Sequence, residues 1–215
     1  MTSTPTPGSP GTTPAAGTRK ARAAETEAAL KAAAKRVFAR AGYLNARITD
    51  ITAEAGRSAG SFYNHFADKE ALLESLLADV LAETDRAVAA DPGHDQDFSR
   101  RQSIRWHVAR FWEFARAHRV ELVALRQAAL VDARFADRLT ALLEPDLRHL
   151  AQHLRGIGGL PAEPEAVALA ISGLWWQFAS ARLVDEAPLA RSISDEAAVD
   201  LLTELTHRGI NGGAA

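Results

Sequence analysis

Three groups of residues in this chain have types and spacings that could do chemistry. The first is His149 and His153. Four residues apart on a helix, two imidazoles share one face, and that spacing can hold zinc. Yet the chain has no cysteine and no H-E-x-x-H, and Asp146 alone offers itself as a further ligand. The pair is therefore read as a solvated helix face, with no metal and no cofactor expected. The second group runs from Arg47 to Lys69, where hydroxyls, a phenol, an imidazole and cations alternate with very small residues. Ser58, Ala59, Gly60 and Ser61 make a helix end without bulk, of the kind that can sink into a groove of DNA. Tyr63, His65 and Lys69 are long enough to reach phosphate oxygens, and a helix N-terminus itself favours phosphate. The third group lies in the second half of the chain. Trp106, Phe111, Phe135, Trp175 and Trp176 could line a cavity for a mostly apolar or aromatic small molecule. His107, Arg110, Arg126 and Gln177 could supply its polar anchors. Aromatic stripes at helical spacing also build ordinary cores, so both readings stand. No P-loop, dinucleotide fingerprint or G-x-S-x-G is present, so catalysis has no candidate constellation and no enzyme is expected.

These groups need scaffolding, and the composition allows it. The chain has 215 residues and 47% hydrophobic content, enough for a substantial core. The net charge is only −2, so bulk charge says nothing about nucleic acid. Its distribution says more. Up to Glu70 there are ten Lys/Arg against six Asp/Glu, and the remainder carries fifteen against twenty-one. A basic front on an acidic body suits a DNA-binding head on a body that does not bind DNA. The absence of cysteine fits a reducing cytoplasm, and the first residues have no apolar stretch of a secretory signal. The longest apolar run, from Ala166 to Ala181, is interrupted by Ser172 and Gln177 and falls short of the roughly 20 residues that cross a bilayer.

Residues 2–18 are Thr, Ser, Pro, Gly and Ala without charge, and residues 1–20 are expected to be a disordered tail. Arg19-Lys20-Ala21-Arg22 follows, as either a basic arm along phosphates or a solubilising tail. Apolar periodicity then predicts an all-α chain of about nine helices. Three make a helix-turn-helix domain over 21–68: about Ala24 to Ala41, Thr49 to Ala55 with Thr49 as N-cap, and Ala59 to His65 with Ser58 as N-cap. Gly42 and Gly56 supply the turns, and Ala53, Ala55 and Gly60 allow close packing of the second and third helices. The remaining six build a ligand-binding and dimerisation bundle over 69–211. They run from about Asp68 to Ala89, Asp97 to Ala117, Val120 to Val131, Ala133 to Leu154, Glu165 to Val184 and Asp195 to His207, the last stopping before Gly209.

The residues Thr49, Ile51, Ala55-Gly56, Ser58, Gly60, Phe62-Tyr63, His65-Phe66 and Lys69-Glu70-Ala71-Leu72-Leu73 resemble the TetR family of bacterial transcriptional regulators. The resemblance is close from Leu30 to Leu77 and elsewhere rests on helix count and order. It implies phosphate contacts by Thr49, Tyr63, His65 and Lys69. Groove contacts would then fall to Arg47, Arg57, Ala59, Gly60 and Ser61. It also implies a homodimer through the eighth and ninth helices, a double-stranded palindromic operator, and release of a repressor by a small-molecule effector. Two positions depart from the pattern: Thr52 where Ala is usual, and Arg57 where Val is common. Arg57 either contacts DNA, the favoured reading, or faces solvent. The alternative function is a helical small-molecule-binding protein or enzyme whose helix-turn-helix is only structural.

Overall fold

The computed structural model describes residues 16–212. Among the described residues there are nine α-helices and no strand. The head holds α1 (Ala16–Ala41), α2 (Ile48–Ala55) and α3 (Ala59–Tyr63), and α4 (Lys69–Ala90) leads out of it. The body holds α5 (Arg101–Ala117), α6 (Arg119–Val131), α7 (Ala133–Leu154), α8 (Pro164–Ala179) and α9 (Asp195–Asn211). A π-helical turn, Ser180–Val184, continues α8.

Helix α1 begins earlier than its expected start near Ala24. Its first turns are rich in alanine and lack β-branched runs, so helix propensity carries the element past the last tertiary contact. Arg19, Lys20 and Arg22 are exposed on these turns. Of the expected disordered tail, residues 1–15 lie outside the described residues, and 16–20 belong to the helix. Two helix ends in the body also shift. Helix α5 starts at Arg101 rather than Asp97, because the Asp97 carboxylate accepts from the N–H and hydroxyl of Ser99 in a turn of its own. Helix α9 runs through Gly209 to Asn211, and Ile210 is buried in the core. That burial holds the last turn together despite the glycine.

Two cores organise the molecule. One joins Leu30, Val37 and Phe38 of α1 to Ile51, Phe62 and Phe66, to Leu72, Leu73 and Leu76 of α4, and to Leu125 and Phe135 of α6 and α7. The head is therefore seated on the body rather than tethered to it. The backbone N–H of Tyr43 donates to the Gln127 side chain at 2.9 Å. Lys35 pairs with the buried carboxylate of Glu121 at 2.6 Å. The second core lies between α5, α7, α8 and α9, around Ile104, Trp112, Leu154, Ile171, Trp175 and Leu202. Trp175 donates its indole N–H to the Thr206 hydroxyl at 2.9 Å, which satisfies the one polar atom that ring buries.

Candidate nucleic-acid interface

Three local devices shape the second and third helices. The N-cap of α2 is Arg47, not Thr49, and the Asp50 carboxylate accepts the Arg47 N–H at 3.1 Å. Asp50, an acid in the first turn, takes over the capping expected of the Thr49 hydroxyl. Thr49 lies in the first turn with its side chain exposed. Gly56 adopts φ +62°, which closes α2 in the left-handed region. Ser58 then caps α3, its hydroxyl accepting the Ser61 N–H at 3.1 Å. Helix α3 is shorter at its C-terminus than expected, ending at Tyr63 rather than His65. The chain then reaches Asp68, whose carboxylate accepts from Ala71 at 2.7 Å and opens α4.

The outcome is a flat, small-residue surface. Ala59 and Gly60 are exposed, Ser61 is half-buried, and Tyr63 is 58% exposed beside them. Below, Phe62 is fully buried and Phe66 nearly so, which fixes the orientation of α3. Contrary to the expectation from sequence, Gly60 does not serve helix packing. A Cβ there would meet only the Ser58 hydroxyl oxygen, at 3.9 Å, so the fold itself does not require a glycine. Thr52, the first departure, is buried and donates its hydroxyl to the Thr49 carbonyl at 3.1 Å, so the extra polar atom is satisfied.

The cations around this surface are less available than their number suggests. Lys31 pairs with Asp79 and Glu27, and Arg36 and Arg40 with Glu54. Arg57, the second departure, pairs with Glu25 of α1 at 3.2 Å. His65 is half-buried, with Nδ1 3.9 Å from Glu27. The Lys69 ammonium donates to the carbonyls of Tyr43 and Ala46. Among the described residues, Arg19, Lys20, Arg22 and Arg47 are exposed cations of the head outside these pairs. Sequence reading missed Glu25 as a partner of Arg57, since 32 residues separate them and no local pattern links them.

The nine residues expected around a ligand do not converge. Trp106 and His107 stand with His94, Phe98 and His153 in one aromatic cluster. Burial among neighbouring imidazoles pushes the pKa of His107 down to about 4. Arg110 lies over Trp106 and pairs with Asp91 and Glu113. Phe111 packs on Trp175 and Trp176, between α5 and α8. Arg126 donates to the Ser180 hydroxyl, and Gln177 is exposed. Phe135 lines an open cavity of about 370 Å³ between α4, α6 and α7, with Leu77, Leu125, Leu139 and Leu142. A cavity of about 320 Å³ elsewhere is lined by Arg116, Arg119, Arg182 and Arg191. Its guanidinium groups already bind Asp195 and the carbonyls of Leu183, Ile193 and Glu186.

The eighth helix keeps its expected extent, but its apolar length does not stay short of a membrane span. The π-helical turn makes Pro164–Val184 a continuous 21-residue stretch, long and apolar enough to cross a membrane by length and composition. Only 28% of it is buried within the chain. Its inward residues, Val167, Ala168, Ile171 and Trp175, belong to the second core.

Comparison with known proteins places this geometry. Residues 30–76 match the family of bacterial regulatory proteins, tetR family. Over 54 residues the chain is 39% identical to the HTH-type transcriptional repressor DhaR of Mycobacterium sp. (strain GP1). That alignment covers 25% of this chain and 27% of DhaR, so the chain matches about a quarter of that curated relative. The structural likeness extends much further. A TetR-like transcriptional regulator from Rhodococcus sp. RHA1 superposes with a TM-score of 0.64 at 25% identity, covering 87% of this chain and 96% of that one. The transcriptional regulator FadR from Bacillus subtilis, solved in complex with stearoyl-CoA, superposes with a TM-score of 0.67 at 16% identity, over 85% and 98% of the two chains. Residues 30–76 thus carry the head of the tetR family of bacterial regulatory proteins, and the helices that follow share the fold of a TetR-like regulator over most of the chain.

Proposed function

We propose that this protein is a DNA-binding transcriptional regulator that acts as a homodimeric, ligand-responsive repressor. The observation that carries the reading is the exposed, bulk-free N-terminal end of α3 beside Tyr63, held rigidly by a buried Phe62. Small residues let a helix approach base edges, while Tyr63, Thr49 and the N–H groups opening α2 and α3 meet phosphates. Arg47 adds an exposed cation at the start of α2. Arg57 and His65 join only by leaving their acidic partners, so α1 tempers the charge of the surface.

A single head reads few base pairs, and pairing two heads about 34 Å apart would engage successive major grooves. Leu169 and Leu174 of α8 and Leu201 and Leu205 of α9 are exposed in the single chain. Ala166, Ala170 and Gly173 on α8 are not buried within the chain, and their small size favours close helix approach. Such an apolar patch suits a self-complementary four-helix dimer interface better than open solvent. The same pairing accounts for the apolar outer face of Pro164–Val184 without a membrane. The effector is a mostly apolar or aromatic small molecule, and the FadR complex supports this only through its shared fold. The cavity beside Phe135 favours coupling, because α4 and α6, which wall it, also belong to the core of the head. A ligand that binds better when these helices shift would change the spacing of the heads.

The test is a binding titration on DNA flanking the gene for this protein. Specific binding at least about ten-fold tighter than to random DNA is expected. Tyr63→Ala should weaken it about ten-fold while leaving the melting temperature unchanged, since Tyr63 is largely exposed. Equal affinity for random DNA at low salt refutes the proposal.

A further inference from the structure

We propose that His94, His107, His149 and His153 form a binding site for a divalent transition metal of the zinc class. Four imidazoles from three elements meet here: the loop after α4, helix α5 and helix α7. One ring nitrogen from each of His94, His149 and His153 lies within 4.8 Å of the other two. His149 and His153 face each other through their Nε2 atoms at 3.2 Å. In a tetrahedral zinc site, metal–nitrogen bonds of about 2.0–2.1 Å place the ligand nitrogens about 3.3 Å apart. One edge of that tetrahedron is thus already formed. His94, on a loop, and His149, exposed, have room to close the others.

His107 is the fourth imidazole. Its ring centroid is 4.8 Å from that of His153 and 5.2 Å from that of His94. Its Nδ1 is 2.9 Å from the Ser103 carbonyl, so the proton sits on Nδ1 and Nε2 carries the lone pair. A second hydrogen bond of this kind, fixing ring and tautomer, is the usual support of a metal-ligating histidine. Ser103 is itself buried, and its hydroxyl donates to the carbonyl of Asp95, next to His94. The residue that orients one ligand therefore also anchors the loop that carries another.

Ordinary core histidines would satisfy their nitrogens. Here His94 Nε2 and His107 Nε2 are buried without a partner, and His153, whose Nε2 faces His149, is 6% exposed. The contact between His149 and His153 and the bond from His107 Nδ1 to Ser103 account for two protons among four rings. Buried polar groups without partners are rare, and two in one cluster call for an ion or a compensating ligand. The donor set is all imidazole, which selects zinc, copper, nickel or cobalt over magnesium or calcium. The expected solvated face holds for the exposed His149 but not for His153, which turns inward against Phe98 and His107; in the proposed site His94 and His107 take the ligand places for which Asp146 was the one candidate in sequence. A bound ion would tie the loop at the far end of α4 to α5 and α7.

The experiment uses the full chain, free of any polyhistidine tag and stripped with a chelator. Titration with Co(II) should give about one ion per chain, with the intense visible absorption of a four-coordinate nitrogen site, and Zn(II) should displace it. His149→Ala removes an exposed side chain, so it should fold as the parent does and lose at least about ten-fold in Co(II) affinity. His118→Ala, outside the cluster, should bind as the parent does. Failure to retain metal through dialysis, or an unchanged affinity in His149→Ala, overturns the assignment.

Discussion

Lys69 donates to the carbonyls of Tyr43 and Ala46 at 2.8 and 3.1 Å, and its ammonium stands 4.1 Å from the centre of the Tyr43 ring. Those carbonyls belong to the loop between α1 and α2, where the Tyr43 carbonyl also accepts the Ala46 N–H at 3.2 Å. Burial draws the Lys69 pKa below the ordinary lysine value, and the neighbouring Glu70 opposes the change. The side chain is thus first a clasp of its own fold, whatever it adds at a phosphate. Lys69→Met keeps the stem but strands the Ala46 carbonyl, and should cost about 1–3 kcal/mol. Urea unfolding would measure this as a lower midpoint with unchanged slope. A variant as stable as the parent, impaired only in DNA affinity, would contradict the clasp.

The turn between α2 and α3 separates two roles for glycine. Gly56 sits at φ +62°, and a Cβ added there would meet nothing within 4 Å, so its cost of replacement is backbone strain alone. Gly56→Ala should destabilise by about 1–2 kcal/mol. Gly60 lies inside α3, where a Cβ would make only an ordinary contact with the Ser58 hydroxyl at 3.9 Å. Gly60→Ala should therefore leave stability equal or raise it by up to about 1 kcal/mol. Its effect belongs to the proposed groove contact, and DNA affinity should drop while thermal stability does not. Paired melting curves and DNA titrations on the two variants check both statements. A Gly60→Ala protein that binds as well as the parent removes that residue from the interface.

At the scale of the whole molecule, the head and body share a core, so movement in α4, α6 or α7 is felt in α1. The proposed dimer depends on the outer faces of α8 and α9. Leu174→Glu with Leu205→Glu places charge on partly exposed positions, at 39% and 49%, so the chain itself should fold. Light scattering should then report half the parent mass, and affinity for a two-site operator should fall at least about ten-fold as the second contact is lost. A double variant that keeps the parent mass moves the interface elsewhere.

What the sequence determined by itself is what residues do to neighbours within four or five positions. Ser58, Asp68 and Ser194 cap the helices they precede, because a hydroxyl or carboxylate meets N–H groups two or three residues on. Gly42 and Gly56 take positive φ, and the apolar spacing of α1 and α4 marks the faces that bury. The head was therefore legible, and with it the likeness of residues 30–76 to the tetR family. The tertiary structure alone decided which distant groups meet. It set Glu25 against Arg57 and turned Lys69 onto a loop. It spread the expected ligand residues over several packing sites, and brought His94 and His107 to His149 and His153. Periodicity fixes which side of a helix is apolar, but not which helix lies against it. That choice comes from summed burial across the whole chain, so residues whose roles depend on partners far in sequence could be named only once the helices were packed.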